Sequence, residues 1–124
     1  MERVMREIKF RAWDKEEEEM IENDAIFANE LCVLSGHQDE DFTFMQYTGL
    51  KDKNSVEIYE GDIVRIKDCY TNGVNRTSDM IGEIIFFECE FQVKDKYDNY
   101  LSISRYREKN EVIGNIHENK ELLA

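Results

Sequence analysis

Short runs of alternating apolar and polar residues recur along the chain, and such runs predict β-strands with one buried face. Segment 6–13 alternates in this way, so we expect its face with Ile8, Phe10 and Ala12 to be buried. Residues 14–18 follow as an acidic turn, because neighbouring glutamates repel one another and favour a surface position. The pattern therefore predicts a hairpin with an acidic tip near the start of the chain.

Further strands are predicted where β-branched and aromatic residues are concentrated. We expect them at 42–48, 56–59, 62–67, 80–87, 91–94, 100–106 and 111–116. Segments 49–55 and 70–79 are rich in turn-forming residues and are interpreted as loops, whereas 24–34 fits either a short helix or a strand. The residues NKELL predict a short helical turn with Asn119 at its N-cap.

Seven to nine short strands and no long amphipathic helix indicate a mainly β fold. Closure into a barrel removes exposed strand edges, so we expect a small antiparallel β-barrel, SH3-like or related. Hairpin extensions and at most short helical turns complete it. With 124 residues, the chain is of a size that usually forms one core, and we expect a single domain over 1–124.

Composition adds a strong negative charge to this picture. The formal net charge is −12, and segment 14–24 alone holds seven carboxylates against one lysine, a net charge of −6. A surface designed throughout to follow nucleic-acid phosphates is therefore excluded, and a positively charged partner fits better. Acidity that simply keeps a small protein in solution is the plainer interpretation.

Cysteine usage and hydropathy indicate a protein of a reducing cytoplasm. Cys32, Cys69 and Cys89 form no C-x-x-C pair, so we expect free thiols that serve as small core residues in a reducing compartment. No apolar run approaches the roughly 18 residues that a membrane span needs. The charged N-terminal segment does not resemble a secretory signal.

No constellation of residues requires a particular chemistry. Cys32, His37 and His117 lack the paired short spacings of a zinc site, and Ser35 near His37 lacks a third orienting group. Asp62 stands between a glycine and apolar residues, where its carboxylate is expected to cap the preceding turn. We therefore predict no catalytic residue, no metal and no cofactor, and we expect no enzyme.

Two surfaces are candidates for binding, and they differ in charge. A protein partner is expected to meet an exposed aromatic anchor and the acidic tip, which are Trp13, Glu16, Glu17, Glu18 and Glu19; Trp13 as a cap on the barrel core is the alternative. A small β-barrel can also stack single-stranded bases on aromatics in a basic groove. The residues for that are Lys94, Lys96, Tyr100, Arg105, Tyr106 and Arg107. Mimicry of DNA by carboxylates and a homo-oligomer formed through strand edges also remain open.

Three segments resemble the YopX-like proteins of bacteriophages and prophages of Gram-positive bacteria. They are REIKFRAWDK at 6–15, MQYTGLKDKNSVEIYEGDIV at 45–64 and EVIGNIHENKELL at 111–123. The chain departs from the family pattern at Ser55, His117 and Lys120. The resemblance implies a mostly β fold and a phage setting, but no reaction and no catalytic residues.

Together these observations favour a phage-encoded interaction module that binds a protein of the host or of the phage. Nucleic-acid binding through the 94–109 surface is the alternative. The two hypotheses make opposite predictions about the charge of the partner.

Overall fold

A computed structural model describes residues 7–24, 41–70, 77–106 and 108–124 of the chain. In this part of the chain, nine strands form two antiparallel sheets, one of which curls into a half-barrel. They are β1 (Phe10–Asp14), β2 (Glu19–Ile21), β3 (Phe42–Lys51), β4 (Glu57–Tyr59), β5 (Asp62–Tyr70), β6 (Thr77–Phe87), β7 (Glu90–Asp95), β8 (Tyr100–Ser102) and β9 (Asn110–Asn115). The predicted mainly β, barrel-like fold is confirmed.

The two sheets follow simple connections. The first has the strand order β2-β1-β3-β4, and the second has the order β8-β7-β6-β5-β9. In the second sheet β5 to β8 form a meander of neighbouring strands, and β9 returns beside β5. Glu88 and Cys89 connect β6 to β7 with φ of 50° and 65°, the left-handed conformation that two-residue hairpin turns favour.

The apolar core lies between the sheets, on the inner face of the five-stranded sheet. Alternate residues of β5, β6 and β7 point into it, because side chains on a strand alternate between faces. Its buried members are Ile58, Val64, Ile66, Cys69, Met80, Ile84, Val93 and Ile103. Ile58 enters from β4, so both sheets contribute to one core. Each large aliphatic side chain fully buried here stabilises the fold by about 1.5–3 kcal/mol.

Residues Glu60 and Gly61 connect the two sheets. The Gln46 amide donates to Glu60 Oε1 at 2.9 Å, and the Glu60 amide donates to the Gln46 carbonyl at 3.0 Å. The Gly61 amide donates to the carbonyl of Ile84, and its own carbonyl accepts from the amide of Ile116, both at 2.9 Å. Gly61 has φ of 83°, and a Cβ there would approach Met45 Sδ to 3.0 Å. Glycine is required here because the backbone is left-handed and closely packed.

The structure corrects the expected orientation of β1. Ile8 is 64% exposed and Phe10 39% exposed, whereas Arg11 and Trp13 on the opposite face are both 8% exposed. Only Ala12 of the expected face is buried, where it packs with Phe42 and Ile21. Alternation identified the two faces correctly but assigned burial to the wrong one, because residues distant in the chain cover Arg11 and Trp13.

Several strand boundaries also differ from the prediction. β3 continues through Gly49 to Lys51, with a register irregularity opposite β4 and a left-handed Gly49. β6 begins at Thr77 rather than at Met80. β8 ends at Ser102, because Ile103 turns into the core and starts a short 3₁₀ helix, Ile103–Tyr106. The acidic hairpin β1–β2, the β6–β7 hairpin and strand β9 were predicted correctly.

Two smaller expectations change as well. The C-terminal turn is a 3₁₀ helix, Lys120–Leu123, but Asn119 makes no side-chain hydrogen bond to cap it. Asn119 Oδ1 instead accepts from the Asn115 amide at 3.2 Å. Cys69 is a buried core residue as expected, whereas Cys89 is exposed at the β6–β7 turn. Cys32 and most of the ambiguous segment 24–34 lie outside the described residues.

Among the described residues, no helix has the length and apolar character to cross a membrane.

Candidate functional site

A buried ion pair joins the first sheet to the second. Arg11 on β1 donates through Nη2 to Asp62 Oδ1 on β5 at 2.7 Å, and through the same nitrogen to the Glu60 carbonyl at 3.3 Å. The guanidinium also lies over the Tyr59 ring, 4.7 Å from its centroid. Both charged side chains are almost inaccessible to solvent. Because a buried charge without a partner is strongly destabilising, each of the two charges is needed to compensate the other.

Asp62 has a second role at the same place. Its Oδ2 accepts from the Tyr59 amide at 2.8 Å, so the carboxylate caps the turn before β5 as expected, while its other oxygen holds Arg11. Burial raises the pKa of Asp62, and the Arg11 guanidinium and the Tyr59 amide oppose that rise. With both oxygens bonded inside the protein, this carboxylate is a structural group of the junction.

Trp13 is not an exposed anchor. Its ring stacks on His117, with centroids 5.1 Å apart and planes inclined by 11°. Nε2 of His117 and Nε of Arg11 are buried without a hydrogen-bond partner among the described residues. Burial lowers the pKa of His117, and the positive charges of Arg11 and Lys15 lower it further. The expected exposure of Trp13 is therefore wrong, and this residue helps to hold the N-terminal hairpin against the C-terminal segment.

The acidic tip lies where the sequence predicted it. Glu16, Glu17 and Glu18 are exposed in the turn between β1 and β2, and Glu19 pairs with Asp14 at the start of β2. The Asp14 carboxylate accepts from the amides of Glu16 and Glu17 at 3.0 and 3.1 Å, and Glu18 has φ of 53°. The turn is thus held by its own first residue, and the glutamate side chains project from an ordered hairpin.

The predicted basic surface contains acidic neighbours. Lys94 lies opposite Tyr100 on β8 and opposite Glu83 on β6, and its Nζ is 3.7 Å from the Asp98 carboxylate. Tyr100 is 39% exposed and stacks on Phe87 at 5.1 Å.

The other predicted nucleic-acid residues are spread along the chain after β7. Lys96 follows β7 and lies over the Tyr97 ring at 5.2 Å, and Arg105 is exposed in the 3₁₀ helix after β8. The backbone of Tyr106 ends that helix, and Arg107 lies outside the described residues. The residues of this set whose side chains the structure describes thus lie on β7, on β8, just after β7 and in the 3₁₀ helix.

Asp52 is a buried carboxylate that sequence analysis treated only as a turn former. Its Oδ1 accepts from the amides of Asn54 and Val56, at 2.8 and 2.9 Å, and closes the loop between β3 and β4. Its Oδ2 accepts from the Val112 amide on β9 at 2.9 Å, so the same side chain joins this loop to the second sheet. Aspartate in a turn is common, and nothing local in the sequence indicates the contact with β9.

The residues that line an acidic cleft beside β1 and β4 were also missed. Lys9 and Glu57 form an ion pair there, above a pair of tyrosines, Tyr47 and Tyr59, whose ring centroids are 5.4 Å apart. The alternation of Lys9 and Arg11 puts two cations on one face of the chain, but solvent exposure of that face accounts for the pattern equally well. Their partners lie 48 and 51 positions further along the chain, beyond the reach of local pattern.

Comparison with known proteins agrees with this fold. The sequence model of a family described as YopX protein matches residues 9–124. Protein EF1440 from Enterococcus faecalis has a similar structure, with a TM-score of 0.62, 30% sequence identity, and coverage of 95% of this chain and 99% of that chain. Protein yopX from Bacillus subtilis has a TM-score of 0.58 at 21% identity, with 94% and 95% covered, a likeness that shows the fold alone. No curated protein matches the chain.

Proposed function

This chain belongs to the YopX protein family, and from that premise we propose that it is a non-enzymatic interaction module that binds a protein through its acidic hairpin tip. The three resembling segments imply a bacteriophage or prophage origin, and the module would then act in the cytoplasm of the bacterial host. The observation that carries the proposal is the row of exposed glutamates, Glu16 to Glu19, at the end of an ordered hairpin.

The geometry of the tip supports a binding role over a purely solubilising one. Carboxylates that only confer solubility need no fixed arrangement, whereas here Asp14 accepts two backbone amides and sets the shape of the turn. β2 is short and lies at the edge of its sheet, and the side chains of Glu16 to Glu19 are exposed. A preformed acidic turn loses little conformational freedom when a partner binds, which favours affinity.

The partner that fits this surface carries lysines or arginines on a complementary face. A single exposed ion pair contributes about 0–1 kcal/mol, so useful affinity requires several pairs at once. Charge complementarity of this kind also accelerates encounter between proteins and excludes acidic competitors. The proposed partner is therefore a basic protein of the host or of the phage, and binding to it should weaken with salt.

Charge reversal tests the proposal. A variant with Glu16, Glu17, Glu18 and Glu19 changed to Lys should capture its partner on the order of tenfold less well than the wild type, because attraction becomes repulsion. The measurement is affinity capture from lysate of infected cells, with captured proteins quantified by mass spectrometry. The matched control reverses four exposed acids elsewhere, Glu88, Glu90, Glu108 and Glu121. Equal loss in both variants, or no loss in either, contradicts a role specific to the tip.

Nucleic-acid binding is the second candidate, and one observation favours it. Phe87 at the end of β6 and Tyr100 on the edge strand β8 form an exposed aromatic stack, which is a surface on which a base could stack. Lys94 is directly opposite Tyr100 but is flanked by Glu83 and Asp98, whose charges repel phosphate. Protein binding therefore has the stronger support.

A further inference from the structure

An open cleft with a volume of about 400 Å³ lies beside the first sheet, between the segment that leads into β1 and strand β4. Four carboxylates, one ammonium group and one aromatic ring line it, contributed by Glu7, Glu22, Asp24, Glu57, Lys9 and Tyr59. The cleft is separate from the acidic tip, because the tip lies at the opposite end of the β1–β2 hairpin. Its chemistry therefore needs its own explanation.

Within the cleft, Lys9 is bound as a cationic ligand would be. Its Nζ lies 2.5 Å from Glu57 Oε2 and 3.3 Å from Glu7 Oε1. The same nitrogen is 5.5 Å from the centroid of the Tyr47 ring, in the range of a cation–π contact. Two carboxylates and an aromatic face around one ammonium are the groups that proteins use to recognise basic side chains.

A second cation occupies the neighbouring ring. The Arg11 guanidinium lies over Tyr59, which stacks at a tilt beside Tyr47. The Tyr59 hydroxyl donates to Glu57 Oε1 at 3.3 Å and helps to orient the carboxylate that holds Lys9. The two tyrosine rings thus each contact a cation of this chain, and of the two rings Tyr59 lines the cleft.

Lys9 does not balance the charge of the cleft. Glu22 and Asp24 line it without an ion-pair partner among the described residues. Glu22 is close enough to Tyr59 that its charge, together with burial and Glu57, raises the pKa of the Tyr59 hydroxyl to about 12. Among the described residues that line the cleft, one ammonium faces four carboxylates, and this excess of negative charge attracts a further cation.

We propose that this cleft binds a lysine or arginine side chain of a basic protein segment, and that Lys9 is an internal competitor that the incoming side chain displaces from Glu57. The inference rests on the proposed function, and it deepens it by naming a second point of contact and the group recognised there. The occupant follows from charge complementarity with the carboxylates that line the cleft and from the cation that Glu57 already holds.

An internal competitor makes an unusual prediction. The apparent dissociation constant of a ligand rises in proportion to the fraction of protein whose site is closed to it. Removing the Lys9 ammonium while keeping most of its aliphatic stem, in Lys9→Met, should therefore strengthen binding of a basic peptide by about five- to tenfold. Lys51→Met makes the same change of charge on the same sheet outside the cleft and should change affinity by less than about twofold, because exposed charges at a distance are screened.

The probe is a fluorescein-labelled peptide with two arginines separated by glycine, titrated by fluorescence anisotropy at low salt. Glu22→Gln should weaken its binding, because that carboxylate lines the cleft without holding Lys9. Glu90→Gln is the matched control on the second sheet, and circular dichroism of each variant verifies folding. Equal affinities for Lys9→Met and Lys51→Met would overturn the proposal, as would a Glu22→Gln variant that binds like Glu90→Gln.

The same titrations separate this inference from the function on which it rests. If reversal of the tip leaves partner capture intact but Lys9→Met still strengthens peptide binding, the tip proposal fails and the cleft stands. If reversal of the tip abolishes capture and Lys9→Met has no effect, the cleft proposal fails alone.

Discussion

The apolar core and the junction between the two sheets are held by different kinds of contact. The five-stranded sheet contributes Val64, Ile66, Ile84 and Val93 to an apolar core. A smaller apolar cluster on the four-stranded sheet has Ala12 and Phe42 as its buried members and Ile21 against them. Where the two sheets meet, Arg11 of the first sheet and Asp62 of the second form a buried ion pair.

The comparison shows two ways of specifying a structure. Apolar packing tolerates exchange between residues of similar volume, because the contacts are not directional. A buried ion pair and a buried carboxylate require particular partners at particular distances, and each loses much of its value when one partner is removed. The junction between the sheets should therefore be more sensitive to single substitutions and to pH than the core is.

The largest effect is expected when Arg11 loses its charge. Arg11→Met leaves the Asp62 carboxylate buried without a cation and should lower the free energy of unfolding by about 3–5 kcal/mol. The double variant Arg11→Met with Asp62→Asn should recover at least half of that loss, because the uncompensated charge is gone and an amide oxygen can still accept from Tyr59. Urea denaturation measures both.

The exposed pair of Lys94 and Asp98 provides the control for this experiment. Their side chains are 41% and 78% exposed, so Lys94→Met should cost no more than about 1 kcal/mol. A loss of similar size for Arg11→Met would mean that the junction is not held by its ion pair, and the contrast between the apolar core and the junction would fail.

A smaller but substantial effect is expected at Asp52. Asp52→Ala removes the acceptor of three backbone amides, those of Asn54, Val56 and Val112, and should lower stability by about 2–3 kcal/mol. The loop can admit water to two of these amides, which is why the loss stays below that of Arg11→Met. Hydrogen exchange should show Val112 losing protection, and unchanged protection there would contradict the link between the loop and β9.

The smallest expected effect is a pH dependence at His117. Its folded pKa lies below the ordinary 6.5, so the unfolded chain binds the proton more readily. The contribution of His117 to the free energy of unfolding is then fully present above pH 6.5. It decreases as the pH falls through that value and stops decreasing below the folded pKa of His117. Because the raised pKa of Asp62 acts in the opposite direction, the informative quantity is the difference between wild type and His117→Phe.

Phenylalanine keeps an aromatic ring against Trp13 but carries no proton to titrate. Between pH 7.5 and pH 5, the urea midpoint of the wild type should fall relative to that of His117→Phe. Parallel midpoints for the two proteins across this range would show that burial of His117 is not linked to folding.

The core could be predicted from the sequence, whereas the junction could not. The run from Met80 to Phe87 is β-prone throughout, and its alternation with Val93 on the next strand is a local signal that the structure follows. Arg11 was assigned to the exposed face, because an arginine is normally solvated and the carboxylate that neutralises it is 51 positions away. For Trp13 the sequence left both an interface and a buried position open, since its partner His117 lies at the far end of the chain.

The two candidate surfaces, the acidic tip and the cleft, also differ in how far they could be predicted from the sequence. The acidic tip depends on residues adjacent in the chain and was found from composition alone. The cleft depends on Lys9 meeting Glu57 and Tyr47, which come from three strands or their approaches, and only the fold brings them together. Contacts between residues distant in sequence cannot be predicted from a local pattern. Two of the three segments that resemble the family, 6–15 and 45–64, nevertheless contain Lys9, Tyr47 and Glu57.

The stack of Trp13 on His117 also sets an order of events during synthesis. The two rings are joined across 104 positions of the chain, so the tryptophan leaves the ribosome long before its partner is made. The arginine beside it must likewise wait for Asp62. Contacts that span most of a chain form slowly, because the intervening loop must close first. The N-terminal hairpin is therefore among the first segments to be translated and among the last to form its tertiary contacts.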